Sequence, residues 1–155
     1  MKQGVHSIKK LEKFRSQLAK NSLRATSQRL AVHEAMMELG HACADDVHRW
    51  ISDNSDTPVT VSSVYNILSQ MESLGIYQCR SSMDNKMYFD IVTGPHLHLY
   101  DYVKHKYRDI NDDNLLQDVM QAIGQRRFKG YNIERIDIQF IAKPAKRKKI
   151  TETQR

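Results

Sequence analysis

Residues 61–75, VSSVYNILSQMESLG, place Val64, Ile67, Leu68, Met71 and Leu74 at i, i+3, i+4, i+7 and i+10. This unbroken apolar stripe at helical spacing demands a helix with one buried face. Ser62 or Ser63 is placed to cap its start, and Gly75 to stop it. The other face carries Ser63, Tyr65, Asn66, Ser69, Gln70 and Ser73, with no charge before Glu72. An uncharged polar face is unusual for bulk water and reasonable for meeting base edges. IYQCR and KMYFDIV follow as two short strands joined by the turn-rich SSMDN. Helices followed by a two-stranded wing describe a winged helix-turn-helix, the rival reading being a generic small α+β core. In the winged arrangement the helix over 62–74 enters the major groove and the wing touches the DNA backbone.

Upstream, Ile8, Leu11, Phe14 and Leu18 predict an amphipathic helix over 5–20. A second helix opens near Thr26 and ends at Gly40, and a third begins just after His41 with ADDVHRWISDN. Past the turn at 93–95 the pattern changes. HLHLYDYVKHKYRDI alternates, with His96, His98, Tyr100 and Tyr102 on one side and Leu97, Leu99 and Val103 on the other. A helix over 112–127 follows, then a strand in YNIERIDIQFIAK, where Ile136, Ile138 and Phe140 alternate with polar residues. The expected class is α+β: a winged-helix DNA-binding domain over 1–92, then a small α/β dimerisation domain over 93–142. A basic, disordered tail is expected over 143–155. A short sheet has edges to protect, and pairing with a second copy protects them, so a homodimer is expected.

At 155 residues the chain suffices for one core, or two small ones. Its net charge of +6 points to a polyanionic partner, with part of the excess in the tail KPAKRKK. No apolar run reaches the roughly 20 residues of a membrane helix, and the N-terminus lacks the apolar stretch of a signal peptide. A cytoplasmic protein with no membrane partner is expected. Cys43 and Cys79 form no CxxC pair and read as two buried small hydrophobes in a reducing compartment.

The segment YFDIVTGPHLH, residues 88–98, concentrates the chemistry. His96 and His98, two apart on a strand, project from one face with Cα atoms roughly 6–7 Å apart. Asp90, just before the turn, folds back toward them. Imidazole and carboxylate donors without thiolate suit Mn, Fe, Zn or Ni. His41, entering a helix in the first half, is a further donor that would tie one half of the chain to the other. His6, His33, His48 and His105 read as satisfied or exposed side chains. No nucleophile or separate general-base motif accompanies these donors, so no catalytic residue is assigned and an enzyme is not expected.

From about residue 20 to 141 the chain resembles the ferric uptake regulator family of bacterial metal-dependent repressors. LRATSQRLAVHEAM is similar to its opening helix, GHACADDVHRWI to its H-x-x-A-D-D-I segment, TVSSVYNILSQMESLGI to its recognition helix, and YFDIVTGPHLH to its F-D…H-x-H stretch. The peroxide-responsive branch is most similar, and its regulatory ligands fall on His41, Asp90, His96, His98 and Asp109. The resemblance implies one divalent metal per subunit, Fe2+ or Mn2+, with Zn2+ binding in vitro. It also implies a homodimer on a palindromic, AT-rich double-stranded DNA operator. Tyr65 would contact thymine methyls with Ser63 and Asn66 nearby, and Lys20 would follow the minor groove. Arg24 and Arg29 would serve phosphates or helix packing. With iron in place, peroxide would oxidise His41 and His96; the alternative is a regulator of iron or manganese availability without peroxide sensing. The chain departs from the family at its two CxxC pairs. Asp101 and Lys104 hold the first pair's positions and no cysteine follows the last strand, so no structural four-cysteine zinc is expected.

Overall fold

A computed structural model describes residues 2–145, with the backbone alone for residues 2–9. The side chains of His6 and Ile8 and most of the expected tail, residues 146–155, lie outside the described residues. The chain forms two compact units that part between Gly94 and Pro95.

The first unit holds α1 (Lys2–Lys20), α2 (Ser27–Leu39), β1 (His41–Ala42), α3 (Ala44–Asn54), α4 (Val61–Ser73), β2 (Gln78–Ser81) and β3 (Met87–Asp90). The stripe on α4 does what its spacing demands: Val64, Leu68 and Met71 are fully buried. They join Phe14 and Leu18 of α1, Val32, Ala35 and Met36 of α2, Val47 and Ile51 of α3 and Phe89 of β3 in one continuous core. Burying each of the larger side chains stabilises the fold by about 1.5–3 kcal/mol.

The ends of these helices follow capping chemistry. Thr26 Oγ1 accepts from the Arg29 amide at the start of α2. At the end of α2, Gly40 takes φ +70° and donates its N–H to the Met36 carbonyl, a backbone shape that favours a residue without Cβ. The start of α4 lies earlier than the serines suggest. Thr60 is the cap, its Oγ1 accepting the Ser63 amide at 3.1 Å, so Ser62 and Ser63 are already inside the first turn. The wing also differs from the two-stranded expectation. His41 and Ala42 form a short strand before α3, giving a three-stranded antiparallel sheet in the order β1-β3-β2. Two residues carry too little periodicity to be read as a strand; only pairing across β3 defines it. Cys43 is buried as expected, whereas Cys79 is half-buried.

The second unit holds β4 (Leu97–Asp101), β5 (Lys106–Ile110), α5 (Asp113–Gly124) and β6 (Ile138–Ala142), with sheet order β5-β4-β6. The single alternating strand expected over 96–110 is instead a hairpin, β4 pairing antiparallel with β5 and parallel with β6. Asp101 explains the break: its Oδ1 accepts the amides of Val103 and Lys104 at 3.0 and 3.1 Å, an Asx-type turn that reverses the chain. Tyr102 and Val103 consequently sit in the turn and are exposed. The helix and last strand are shorter than expected, starting at Asp113 and Ile138. Among the described residues no helix is long and apolar enough to cross a membrane.

Candidate metal and DNA-binding sites

The sheet of the first unit brings two of the predicted ligands together. In the β1–β3 ladder His41 is the direct partner of Asp90, and directly opposed antiparallel residues project to the same face. His41 Nδ1 lies 3.4 Å from Asp90 Oδ2, with the two side chains 6% and 2% exposed. Asp90 Oδ1 accepts the Val92 amide at 2.7 Å. Arg80 on β2, which sequence reading did not single out, sets its Nη2 3.6 Å from the same Oδ2.

The second unit assembles the other three. His96 precedes β4, His98 lies within it, and Asp109 is the β5 partner of His98. Asp109 Oδ1 stands 3.5 Å from His96 Nε2 and 3.8 Å from His98 Nε2. The imidazoles meet edge to face with centroids 4.1 Å apart. Asp137, also unread in the sequence, approaches the other nitrogen of His98, with Oδ1 3.5 Å from Nδ1. A strand register aligning residues 98 and 109 is a tertiary fact, so the HxH spacing alone could not reveal Asp109. The same holds for Asp137, whose place depends on the parallel pairing of β6.

These donors fit a hard or borderline divalent ion. Ligands of one such ion at about 2.0–2.2 Å stand at most about 4.4 Å apart. Donor atoms of His96, His98 and Asp109 lie within 4.8 Å of one another, so a small closing movement would let all three bind. A carboxylate facing the remote nitrogen of a ligating histidine fixes its ring orientation and raises its basicity; Asp137 is placed for that on His98.

Of the residues expected to meet DNA, Tyr65 and Asn66 are exposed on α4. Tyr65, 45% exposed, rests edge-on against Phe89 with centroids 6.4 Å apart. A cleft of about 530 Å³ runs beside it, lined by Tyr65, Asn66, Val61, Asn85 and Lys86 among others. Ser63 is half-buried, its hydroxyl accepting from Thr60 Oγ1 at 3.0 Å. Lys20 and Arg24 are exposed at the end of α1 and in the link to α2. Arg29 is a packing residue: it donates to the Arg24 carbonyl at 2.8 Å and to Gln70 Oε1 at 3.0 Å. Gln70 therefore serves the α2–α4 contact.

Of the remaining histidines, His33 is the informative one. Its Nδ1 lies 2.8 Å from the Tyr77 hydroxyl, and its ring stacks on Phe14 at 3.9 Å. Burial, aided by the nearby charge of Lys10, lowers its pKa to about 4, and burial raises that of Tyr77. The pair is a neutral core element.

Comparison with known proteins agrees with this architecture. The ferric uptake regulator family model matches residues 20–140. The Vibrio cholerae ferric uptake regulator superposes with a TM-score of 0.68 at 19% identity, over 84% of this chain and 98% of that one. The manganese-bound ferric uptake regulator of Pseudomonas aeruginosa gives 0.66 at 19% identity, over 84% and 97%. The Campylobacter jejuni peroxide stress regulator gives 0.59 at 18% identity, over 85% and 96%. No curated protein matches the sequence significantly.

Proposed function

The chain belongs to the ferric uptake regulator family, and on that premise we propose that it is a homodimeric repressor switched by one divalent ion per subunit. Members of this family are dimeric, metal-responsive transcription regulators and not enzymes. Residues 1–92 act as the DNA-binding domain and 93–142 as the dimerisation domain of a cytoplasmic protein. The ion, Fe2+ or Mn2+, is held by His41, Asp90, His96, His98 and Asp109. The observation that carries this reading is the presence of two matching donor sets. His41 faces Asp90 in the first unit, and His96 and His98 face Asp109 in the second. Neither set alone gives a divalent ion its usual four to six ligands.

One ion drawing donors from both units restricts their relative freedom. Two recognition helices of a dimer are then presented at the spacing of a palindromic operator. The ion shifts the population toward that arrangement only as far as it binds it more tightly than the others. On α4, Tyr65 meets thymine methyls with Ser63 and Asn66 nearby, while Lys20 and Arg24 face the backbone of an AT-rich site. Without a cysteine beyond Cys79, the second unit relies on its sheet, the Asp101 turn and pairing of subunits instead of a structural zinc.

The finer reading is peroxide sensing. Ferrous iron held by His41, Asp90, His96, His98 and Asp109 would activate hydrogen peroxide; overall the ligand imidazole would give up two electrons and gain one oxygen, the other oxygen leaving as water. His41 and His96 are the imidazoles proposed to be oxidised; the 37% exposure of the Asp109 side chain leaves a small oxidant a way in. An oxidised imidazole is a poorer donor, and loss of the ion releases the operator. The test loads the protein anaerobically with Fe2+ or Mn2+, adds stoichiometric peroxide, and follows operator binding and peptide masses. Loss of binding in the iron form alone, with 16 Da added at His41 or His96, is the expected result. Unchanged binding would make the protein a regulator of iron or manganese availability.

A further inference from the structure

Arg80 has no place in the ligand set, yet it is buried against it. It lies on β2, in the ladder that sets Gln78 opposite Asp90 and Arg80 opposite Tyr88. Its side chain is 4% exposed, and Nη2 stands 3.6 Å from Asp90 Oδ2. That oxygen also faces His41 at 3.4 Å, while Oδ1 is occupied by the Val92 amide. The guanidinium therefore points at the same Asp90 oxygen that faces His41.

A guanidinium keeps its charge at any accessible pH, and away from water it interacts with neighbouring charges more strongly than at the surface. Near a divalent ion on the same carboxylate it has two opposed consequences. With no ion present, it supplies the positive charge facing Asp90 and holds that side chain in position. With an ion present, it adds a like charge to the site and draws on the same oxygen. From this we infer that Arg80 is a resident counter-cation. It keeps the empty site assembled and weakens metal binding, setting the ion concentration at which the regulator switches. The inference rests on the metal site proposed above.

The sign of the effect separates this role from simple scaffolding. If Arg80 only positioned Asp90, its loss would weaken metal binding; as a counter-cation, its loss strengthens it. The experiment titrates Mn2+ into the full-length protein and its Arg80→Met, Arg80→Gln, Arg80→Lys and His98→Ala variants. A competing fluorescent chelator reports affinity, and thermal unfolding reports the metal-free stability. Met and Gln, both neutral, are expected to bind Mn2+ at least tenfold more tightly while unfolding at lower temperature without metal. Lys, which keeps the charge, stays within about threefold of the original. Equal or weaker binding by both neutral variants overturns the inference. Wild-type protein and His98→Ala binding Mn2+ alike would instead overturn the metal site itself, and the inference with it.

Discussion

The two units bury their apolar residues differently. Among the described residues, the first encloses a single core in which eleven hydrophobic side chains have no exposure at all: Phe14, Leu18, Val32, Ala35, Met36, Ala42, Val47, Ile51, Val64, Leu68 and Met71. In the second, α5 has no buried residue, and the sheet's buried positions include His98, Asp101 and two tyrosines. Meanwhile Phe128, Tyr131, Ile133, Phe140 and Ile141 are exposed. A unit that buries its apolar residues within itself needs no partner to cover them; a unit that leaves several large ones exposed gains most from a second copy. The difference matches the division of labour proposed for them, a DNA reader and a subunit-pairing domain.

The largest effect should come from opening the first core. Leu68→Ala is expected to destabilise that unit by about 2–5 kcal/mol, the range for deleting a fully buried leucine side chain. Chemical denaturation followed by the single tryptophan, Trp50, reads this. A loss under about 1 kcal/mol would mean that the core is looser than its burial implies.

Next is the pH dependence written into His33. Its folded pKa of about 4 lies below the ordinary 6.5, so the unfolded chain takes up the proton first. Stability is fully present above about pH 6.5, falls as pH drops toward 4, and levels off below, a loss of about 3 kcal/mol. His33→Phe should flatten that part of the curve. An unchanged slope would show that other groups carry it.

The second unit should respond differently. Phe140→Asp places a charge at one of its exposed apolar residues and should weaken subunit association tenfold or more in sedimentation, with little change in the unfolding of the first unit. Unaltered association would move the interface elsewhere. A smaller effect is expected from Asp101→Ala, which removes the acceptor of two turn amides and should cost about 1–2 kcal/mol. Hydrogen exchange at Val103 and Lys104 reports it locally.

What could be read from the sequence follows the same divide. Helices α1 and α4 carry 3.6-residue periodicity and α2 shows its end signals at Thr26 and Gly40, so their existence was legible even where Thr60 rather than a serine proved to be the cap of α4. The second unit hides its structure in pairings. Nothing local distinguishes one long alternating strand from a hairpin until Asp101 is seen to turn the chain, and β1 exists only because β3 pairs with it. The ligand types were similarly visible, His96 and His98 from strand spacing, Asp90 and His41 as further donors, and Asp109 by resemblance. Arg80 and Asp137 were not, since each approaches a ligand through strand register rather than through proximity in sequence.

The central claim is that a divalent ion controls DNA binding, and fluorescence anisotropy on an AT-rich palindromic duplex tests it most directly. Metal-free and Mn2+-loaded protein would be compared at fixed ionic strength, with His98→Ala alongside. The account predicts that Mn2+ tightens binding by the wild type at least tenfold and leaves the variant near the metal-free level. Metal-free protein binding as tightly as the loaded form would contradict it and reduce the His/Asp cluster to a structural element.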